Sequence, residues 1–357
     1  EIASAIRKTI TEVENQVNIK INSAYVTIFG KYITIVQNSI VKEVKDKFAG
    51  ITTRDLNSAI AQVKDIDLPE DKVIVDVITN EFYLDNGKAI DDPVGALSST
   101  FTVKGQVILA EKEFVRQLSA IFKKAGIDMD GIIPNVLAER QLILDKNELN
   151  DNVMILDIGA ENTDIGIFNN SHFIYTNTIP LGGDNITNDI AQVFNVSEEE
   201  ADRLKRQYGL ALRSFIDNDT DIILNTYKGE ERAKTIKSSE LVAVIEARIE
   251  EIFTLVNNAI TSEGVKGSIN NVILTGQGIT SIAKSDVVGK IILNIPVKMS
   301  TGRFISTIQP SYRSSYALVR YIASRPFTKN VSSNIDTKSK DNIFKTLMER
   351  IKEFFYS

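Results

Sequence analysis

Apolar positions along this chain change their spacing repeatedly, and each change marks a predicted element. Ile2, Ile6, Ile10, Val13 and Val17 recur at helical spacing and predict an opening helix with one apolar stripe. Tyr25 to Phe29 alternates and is β-branched, so it predicts a strand, broken by Gly30 before a second strand from Tyr32 to Val36. From about Gln37 the pattern is that of a small α/β unit. Thr52 or Thr53 can cap a helix through Val63, with Asp55 in its first turn. A strand over Val73–Val77, a Tyr83–Asp92 loop turning at Asn86–Gly87, a strand over Phe101–Leu109 and a helix over Glu111–Lys124 follow.

Pro134 to Leu144 predicts a further helix, and then comes the stretch on which the rest is organised. Val153–Met154–Ile155–Leu156 ends at Asp157, a turn runs through Gly159–Ala160–Glu161–Asn162–Thr163, and a second apolar strand spans Ile165 to Phe168. The tip is small and polar with an aspartate, Asp157 or Asp164, on each side. Such strand ends can hold a hydrated Mg²⁺ ion, and a glycine-containing turn can close around a phosphate. An ordinary hairpin turn, which also prefers Gly, Asn and Asp, explains the same residues.

Two more glycine turns follow. Leu181–Gly182–Gly183–Asp184 leads into a helix over Ile186–Phe194, whose N-terminus carries positive partial charge. Asn271–Val272–Ile273–Leu274–Thr275 is a short strand running into Gly276–Gln277–Gly278. Between them, Ser197 with Glu200 opens a helix as a capping box, and Asp202 and Lys205 lie one turn apart on it. A surface pair explains these two as well. On the helix over Ser239–Ile260, Leu241, Val244, Ile245, Ile252, Leu255 and Val256 define the apolar face, and Arg248 falls in its middle. Ser300–Ile308 reads as loop, Ser315–Ile322 as helix, and 326–340 as a polar linker.

Composition narrows the chemistry. The chain has 357 residues, 43% of them hydrophobic, enough for two domains. A net charge of -6 argues against nucleic acid as a partner. With no cysteine there is no thiolate nucleophile or thiolate zinc site, and the single histidine, His172, reads as a solvated loop residue.

In this order, the aspartate hairpin, LGGD before a helix and LTGxG form the pattern of an actin-type nucleotide fold. The chain resembles the FtsA family of actin-like bacterial cell-division proteins over nearly its whole length. The resemblance rests also on Tyr83–Leu84–Asp85, Asp92–Pro93–Val94–Gly95, Gly126–Ile127–Asp128, Arg203–Leu204–Lys205 with Tyr208–Gly209, and Gln309–Pro310–Ser311–Tyr312. It departs at Ala160–Glu161–Asn162, where Gly and Thr are usual.

The resemblance implies an actin-like two-domain α/β fold with an FtsA-type 1C subdomain. Its expected parts are a remnant of subdomain 1A at 1–36, 1C at 37–131, a 1A helix at 132–150, 2A at 151–194, 2B at 195–262, 2A again at 263–299 and a return to 1A at 300–325. It implies ATP with Mg²⁺, the metal held through water by Asp157. The nucleotide contacts would be Asp157, Gly159, Ala160, Glu161, Asn162, Thr163, Asp164, Gly182, Gly183, Asp184, Asp202, Lys205, Gly276, Gln277 and Gly278. Asp157→Ala and Gly183→Val are expected to weaken ATP binding and leave the fold intact. Arg248 would border the groove for the acidic C-terminal peptide of FtsZ. Other division proteins would dock on 1C, with self-assembly into filaments and a site of action on the cytoplasmic face of the membrane at the division site. Hydrolysis of ATP is left open, with no general base named. The chain begins at Glu1, within a helical pattern, and the phosphate hairpin expected before such a helix is expected in a preceding segment.

The C-terminal stretch is legible without any family. At about 100° per residue, Ile343, Phe344, Leu347, Met348, Ile351, Phe354 and Phe355 fall within an arc of roughly 140°. Lys345, Arg350 and Lys352 stand on the other side, and Lys338 and Lys340 precede it. The pattern suits an amphipathic helix over 341–357 on an anionic membrane surface, with docking to a partner helix as the competing reading. Two alternatives to the family reading are a sugar or acetate kinase of the same superfamily and a PilM-like pilus adaptor.

Overall fold

The computed structural model describes residues 1–46, 48–144, 148–225, 234–300, 309 and 312–324. The opening stripe forms α1 (Ile2–Val17), which ends as Asn18 turns left-handed. Buried Glu14 accepts hydrogen bonds from Lys20 Nζ (2.9 Å) and Ile21 N (3.0 Å), fixing the turn into β1 (Ser23–Ile28). β2 (Ile33–Glu43) is longer than the predicted strand, since its alternation continues past Val36 to Ile40 and Val41. α2 (Thr53–Val63) starts on a reciprocal cap, in which Asp55 N donates to Thr52 Oγ1 (3.2 Å) and Thr52 N donates to Asp55 Oδ2 (3.1 Å). β3 (Lys72–Leu84) turns at Asn86–Gly87 into β4 (Ala89–Ile90), and β5 (Thr100–Glu111) leads to α3 (Lys112–Lys124).

These strands form a four-stranded antiparallel sheet in the order β2-β5-β3-β4. α2 covers one face at close range. A Cβ added to Gly105 of β5 would stand 2.5 Å from Val63 Cγ1, so this helix position requires glycine beneath it. The other strands and helices of the unit do not exhaust its contacts, and Tyr32 stacks on Phe114 of α3 at 3.7 Å between ring centroids.

β6 (Asp128–Pro134), a strand that the apolar pattern had not predicted, pairs in parallel with β1. Pro134 then begins α4 (Asn135–Ile143), where its fixed φ suits a helix start. The predicted hairpin is β7 (Val153–Ile158) and β8 (Thr163–Asn169), extended by β9 (His172–Ile179). Next come α5 (Gly183–Phe194), α6 (Glu198–Tyr208), β10 (Asp221–Ile223) with β11 (Thr235–Lys237), and the long α7 (Ser238–Ser262). β12 (Asn271–Thr275), α8 (Ser285–Leu293), β13 (Val297–Met299) and α9 (Arg313–Ser324) complete the described elements.

The central sheet has the order β13-β12-β7-β8-β9. β13, β12 and β7 are parallel, while β7, β8 and β9 are antiparallel. Residues alternate across β7. Met154, Leu156 and Ile158 face a core built with α5, α6, α7 and α8, including Ile190, Leu204, Ile249 and Phe253. Val153 and Ile155 face a second core with Ile133, Val136, Leu137 and Phe173. Period-2 alternation puts Asp157 on that second face, where α4 lies.

The two sheets meet at β9. Gln106 Nε2 donates to Phe173 O (2.6 Å) while Phe173 N donates to Gln106 Oε1 (3.2 Å). His172 is no loop residue: it opens β9, and its Nε2 stands 2.6 Å from Glu81 Oε1 of β3. Residues 1–323 form one compact unit. The predicted linker, the amphipathic helix at 341–357 and most of the Ser300–Ile308 loop lie outside the described residues.

Candidate functional site: three glycine turns at the ends of two parallel strands

β7 and β12 run side by side with Asp157 opposite Thr275, so their C-terminal ends emerge together. Open α/β sheets bind ligands in the crevice outside such ends. There the three turns meet. Gly183 N donates to Gly159 O (2.9 Å), Asp184 N to Ala160 O (2.8 Å), and Gly278 N to Ile158 O (2.9 Å). The backbones touch so closely that side chains are excluded. A Cβ on Gly278 would sit 2.1 Å from Gly159 O, and one on Gly183 would sit 2.4 Å from Gly278 Cα. Gly276 adopts φ +100°, a conformation that favours glycine.

Around this junction lies a cavity of about 230 Å³, lined by Asp157, Gly159, Ala160, Gly276 and Gln277 among the predicted residues. It is smaller than a whole-ligand pocket of 300 Å³ or more. Three neighbours that the sequence reading missed, Glu139, Arg313 and Ser314, line it too. Glu139 and Asn135 are one turn apart on α4, whose other buried residues are nearly all apolar. A polar pair at i, i+4 in such a helix was the available signal, because buried polar groups need partners. Arg313 and Ser314 gave none, since only the chain's return at α9 brings them here.

Asn135 Nδ2 donates to Asp157 Oδ2 (3.4 Å), and Ser314 Oγ donates to Glu139 Oε1 (2.8 Å). Burial, followed by the charge of Asp157, raises the Glu139 carboxyl well above the usual carboxylate range. Burial also raises Asp157, opposed by hydrogen bonds from Glu139 and Asn135 and by the charge of Arg313. Glu139, raised well above its usual range, is the carboxyl of the pair that burial holds toward its neutral form. Among the described residues no group of three or more His, Cys, Asp or Glu forms a metal cage. A cation at Asp157 would keep most of its waters, as Mg²⁺ prefers.

Several predicted contacts hold the fold in this arrangement. Asp164 is buried; its Oδ1 accepts from Thr178 Oγ1 (2.6 Å) and Gly30 N (3.0 Å). Burial pushes its carboxyl up to about 7, against those two hydrogen bonds. Thr163 Oγ1 donates to Leu181 O (2.8 Å), joining the hairpin to the LGGD turn. The first N–H groups of α5 are spent on the hairpin tip, and Gly182 N donates to Asn185 Oδ1 (2.9 Å). Gly183→Val would thus break the junction itself, contrary to the expectation of an intact fold. Lys205 is no surface residue: its buried Nζ donates to Gly183 O (3.0 Å) and Thr187 Oγ1 (2.6 Å), with Asp202 at 3.4 Å. By contrast, Ala160 and Glu161 are exposed, and the N–H groups of Ala160, Glu161 and Asn162 make no hydrogen bond among the described residues.

Arg248 lies on α7 away from this junction. The buried face of that helix runs through Leu241, Val242, Ile245, Ile249, Ile252, Phe253, Val256 and Ile260. Ile249 stands near its centre and Arg248 at its margin, not in its middle. The guanidinium pairs with Asp189 through two hydrogen bonds (2.6 and 2.9 Å) and with Glu251 (2.5 Å).

Comparison with known proteins agrees with this architecture. The family model described as "Cell division protein FtsA" matches residues 154–317, and "SHS2 domain inserted in FTSA" matches residues 30–109. The chain is 31% identical to "Cell division protein FtsA" of Bacillus subtilis (strain 168) over 326 residues, covering 90% of this chain and 72% of that protein. It belongs to the FtsA family. The FtsA of Pseudomonas aeruginosa is 23% identical over 357 residues, covering 98% of this chain and 85% of that protein. The SHS2 match falls on the β2-β5-β3-β4 sheet and α2, the unit inserted in FtsA. Among solved structures, a PilM-PilN type IV pilus biogenesis complex matches at TM-score 0.52 and 16% identity, covering 91% of this chain and 85% of that one. That likeness shows the shared actin-like fold, while the family matches are to FtsA and not to a pilus adaptor.

Proposed function

We propose that this FtsA-family protein binds ATP at the junction of the three glycine turns, polymerises, and ties FtsZ filaments to the cytoplasmic membrane surface. The observation that carries the nucleotide reading is the junction of the three turns beside a cavity that two of them line, at the ends of two parallel strands. The residues fit a phosphate: successive open N–H groups at Ala160, Glu161 and Asn162 can cradle it. Asp157 would face its cation through water, with Asn135 orienting the carboxylate. Bound Mg²⁺ and ATP would supply positive charge and a bridging polyphosphate, favouring one arrangement of the two halves of the fold over others. Lys205, Asp202 and the LGGD turn act as the second layer that holds the tip in place, with the nucleoside expected on their side of the junction.

Arg248 is the candidate contact for an acidic FtsZ peptide. Asp189 orients the guanidinium with two bonds, and the half-exposed Glu251 is the partner a peptide carboxylate can replace. Among the described residues no helix is long and apolar enough to cross a membrane. Membrane attachment is assigned to Ile343, Phe344, Leu347, Met348, Ile351, Phe354 and Phe355, whose spacing gives an amphipathic face. The test is co-sedimentation of FtsZ filaments with anionic liposomes. The full chain with ATP should carry FtsZ into the lipid pellet, and protein lacking residues 341–357 should not. Equal recovery of FtsZ with and without those residues would refute the anchoring role.

A further inference from the structure

The cavity beside the hairpin tip brings together an unusual set of charges. Two of its walls carry carboxyl groups, Asp157 from β7 and Glu139 from α4. A bound polyphosphate would add several negative charges to the same small volume. The ionised Asp157 and such phosphates would repel one another where water is scarce. A free divalent cation can relieve that repulsion, but the chain supplies a cation of its own. Arg313, the first residue of α9, lines the same cavity, and its neighbour Ser314 is tied to Glu139 by the 2.8 Å hydrogen bond. That bond ties the start of α9 to α4, beside the cavity that Arg313 lines.

We propose that Arg313 is a positioning residue for the polyphosphate, a tethered cation that offsets Asp157 and lets the pocket take ATP with little dependence on free Mg²⁺. The inference rests on the nucleotide reading above and adds to it a residue and a property. Arg313 already acts on the cavity wall: its charge is among the influences that favour ionised Asp157. A planar guanidinium suits phosphate oxygens, since its donors sit in a fixed fork. It also has a structural consequence. α9 is the last described element before the C-terminal segment, so the residue that meets the phosphate stands at the root of the chain's final stretch.

The test is equilibrium binding of a fluorescent N-methylanthraniloyl ATP to the full chain, in Mg²⁺ and in EDTA. The parent should lose less than about tenfold in affinity when Mg²⁺ is removed, a difference of under 1.4 kcal/mol. Arg313→Gln should bind more weakly than the parent in Mg²⁺ and lose at least about tenfold more than the parent does on transfer to EDTA. Arg313→Lys, which keeps the charge, should restore most of that loss. A merely structural arginine would weaken binding equally in both buffers, and equal losses in parent and Arg313→Gln overturn the proposal. Should the Gln variant lack a thermal transition, the parent decides: a loss of about tenfold or more in EDTA overturns it. If the parent binds no nucleotide in either buffer, the nucleotide reading itself falls and this inference with it.

Discussion

Asp164 offers a sharp test of the electrostatics at the hairpin. It is 2% exposed, and burial raises its carboxyl from 3.8 to about 7, opposed by hydrogen bonds from Thr178 and Gly30 N. Between those two values the unfolded chain releases a proton that the folded chain keeps. The stability this group contributes is therefore whole below about pH 4 and is lost as pH rises through about 7. At roughly 1.4 kcal/mol per unit, the loss between pH 5 and pH 8 comes to about 2.5 kcal/mol. Asp164→Asn removes the ionisation while its amide oxygen still accepts from Gly30 N and Thr178 Oγ1. The amide nitrogen replaces Oδ2, a buried atom that meets no donor, so no existing bond is lost. A donor left without an acceptor there costs about 1–3 kcal/mol, equally at every pH. Urea titrations across that range should show the parent losing stability more steeply than Asp164→Asn, by about 2 kcal/mol in total. Glu139, also raised, should leave the variant a residual slope of the same sign. Identical pH dependence in the two proteins would refute the assignment of a protonating buried aspartate.

Three further outcomes are expected, the last from the sequence pattern alone. Gly183→Val and Gly278→Ala force side chains into backbone at 2.4 and 2.1 Å, so each should destabilise the fold by about 3 kcal/mol or more, visible as a fall in thermal midpoint. An unchanged midpoint in both would show that the turns do not close as described. Arg248→Glu should abolish binding of an acidic FtsZ tail peptide in fluorescence anisotropy, whereas Glu251→Ala should strengthen it a few-fold by vacating the exchangeable partner; weakening by Glu251→Ala would remove Arg248 from the interface. Phe354→Glu with Phe355→Glu should release the protein from anionic liposomes, each buried phenylalanine being worth at most about 1.5–3 kcal/mol, while leaving ATP affinity unchanged; retention on lipid would favour a partner helix over a membrane surface.

Local chemistry made much of the fold legible. The β7–β8 hairpin, the capping box at Thr52 and Asp55, the Asn86–Gly87 turn and the long α7 each carry their signal within a few residues. β9 was hidden because His172–Ile179 interleaves Thr and Asn with apolar residues. Thr176 and Thr178 are buried against partners on β8, Ile165 O and Asp164, and no local pattern announces such partners. The same reason explains the site. The glycine turns were visible one at a time, but only the parallel register of β7 and β12 makes them neighbours. Glu139 stands beside Arg140 on α4, and only the fold brings Ser314 and Asp157 around it. Arg248 was misjudged by a single helical position: Val244 and Leu255 sit at the margin of the buried face, and counting them as core moved its apparent centre from Ile249.

The central claim is that the tip of the β7–β8 hairpin receives the phosphates. A crystal structure of the full chain with a non-hydrolysable ATP analogue tests it most directly. The account predicts phosphate density against the N–H groups of Ala160, Glu161 and Asn162, beside Gln277 and within reach of Asp157. A nucleotide bound elsewhere on the chain, with the three turns as they are and the tip N–H groups facing only water, would contradict it.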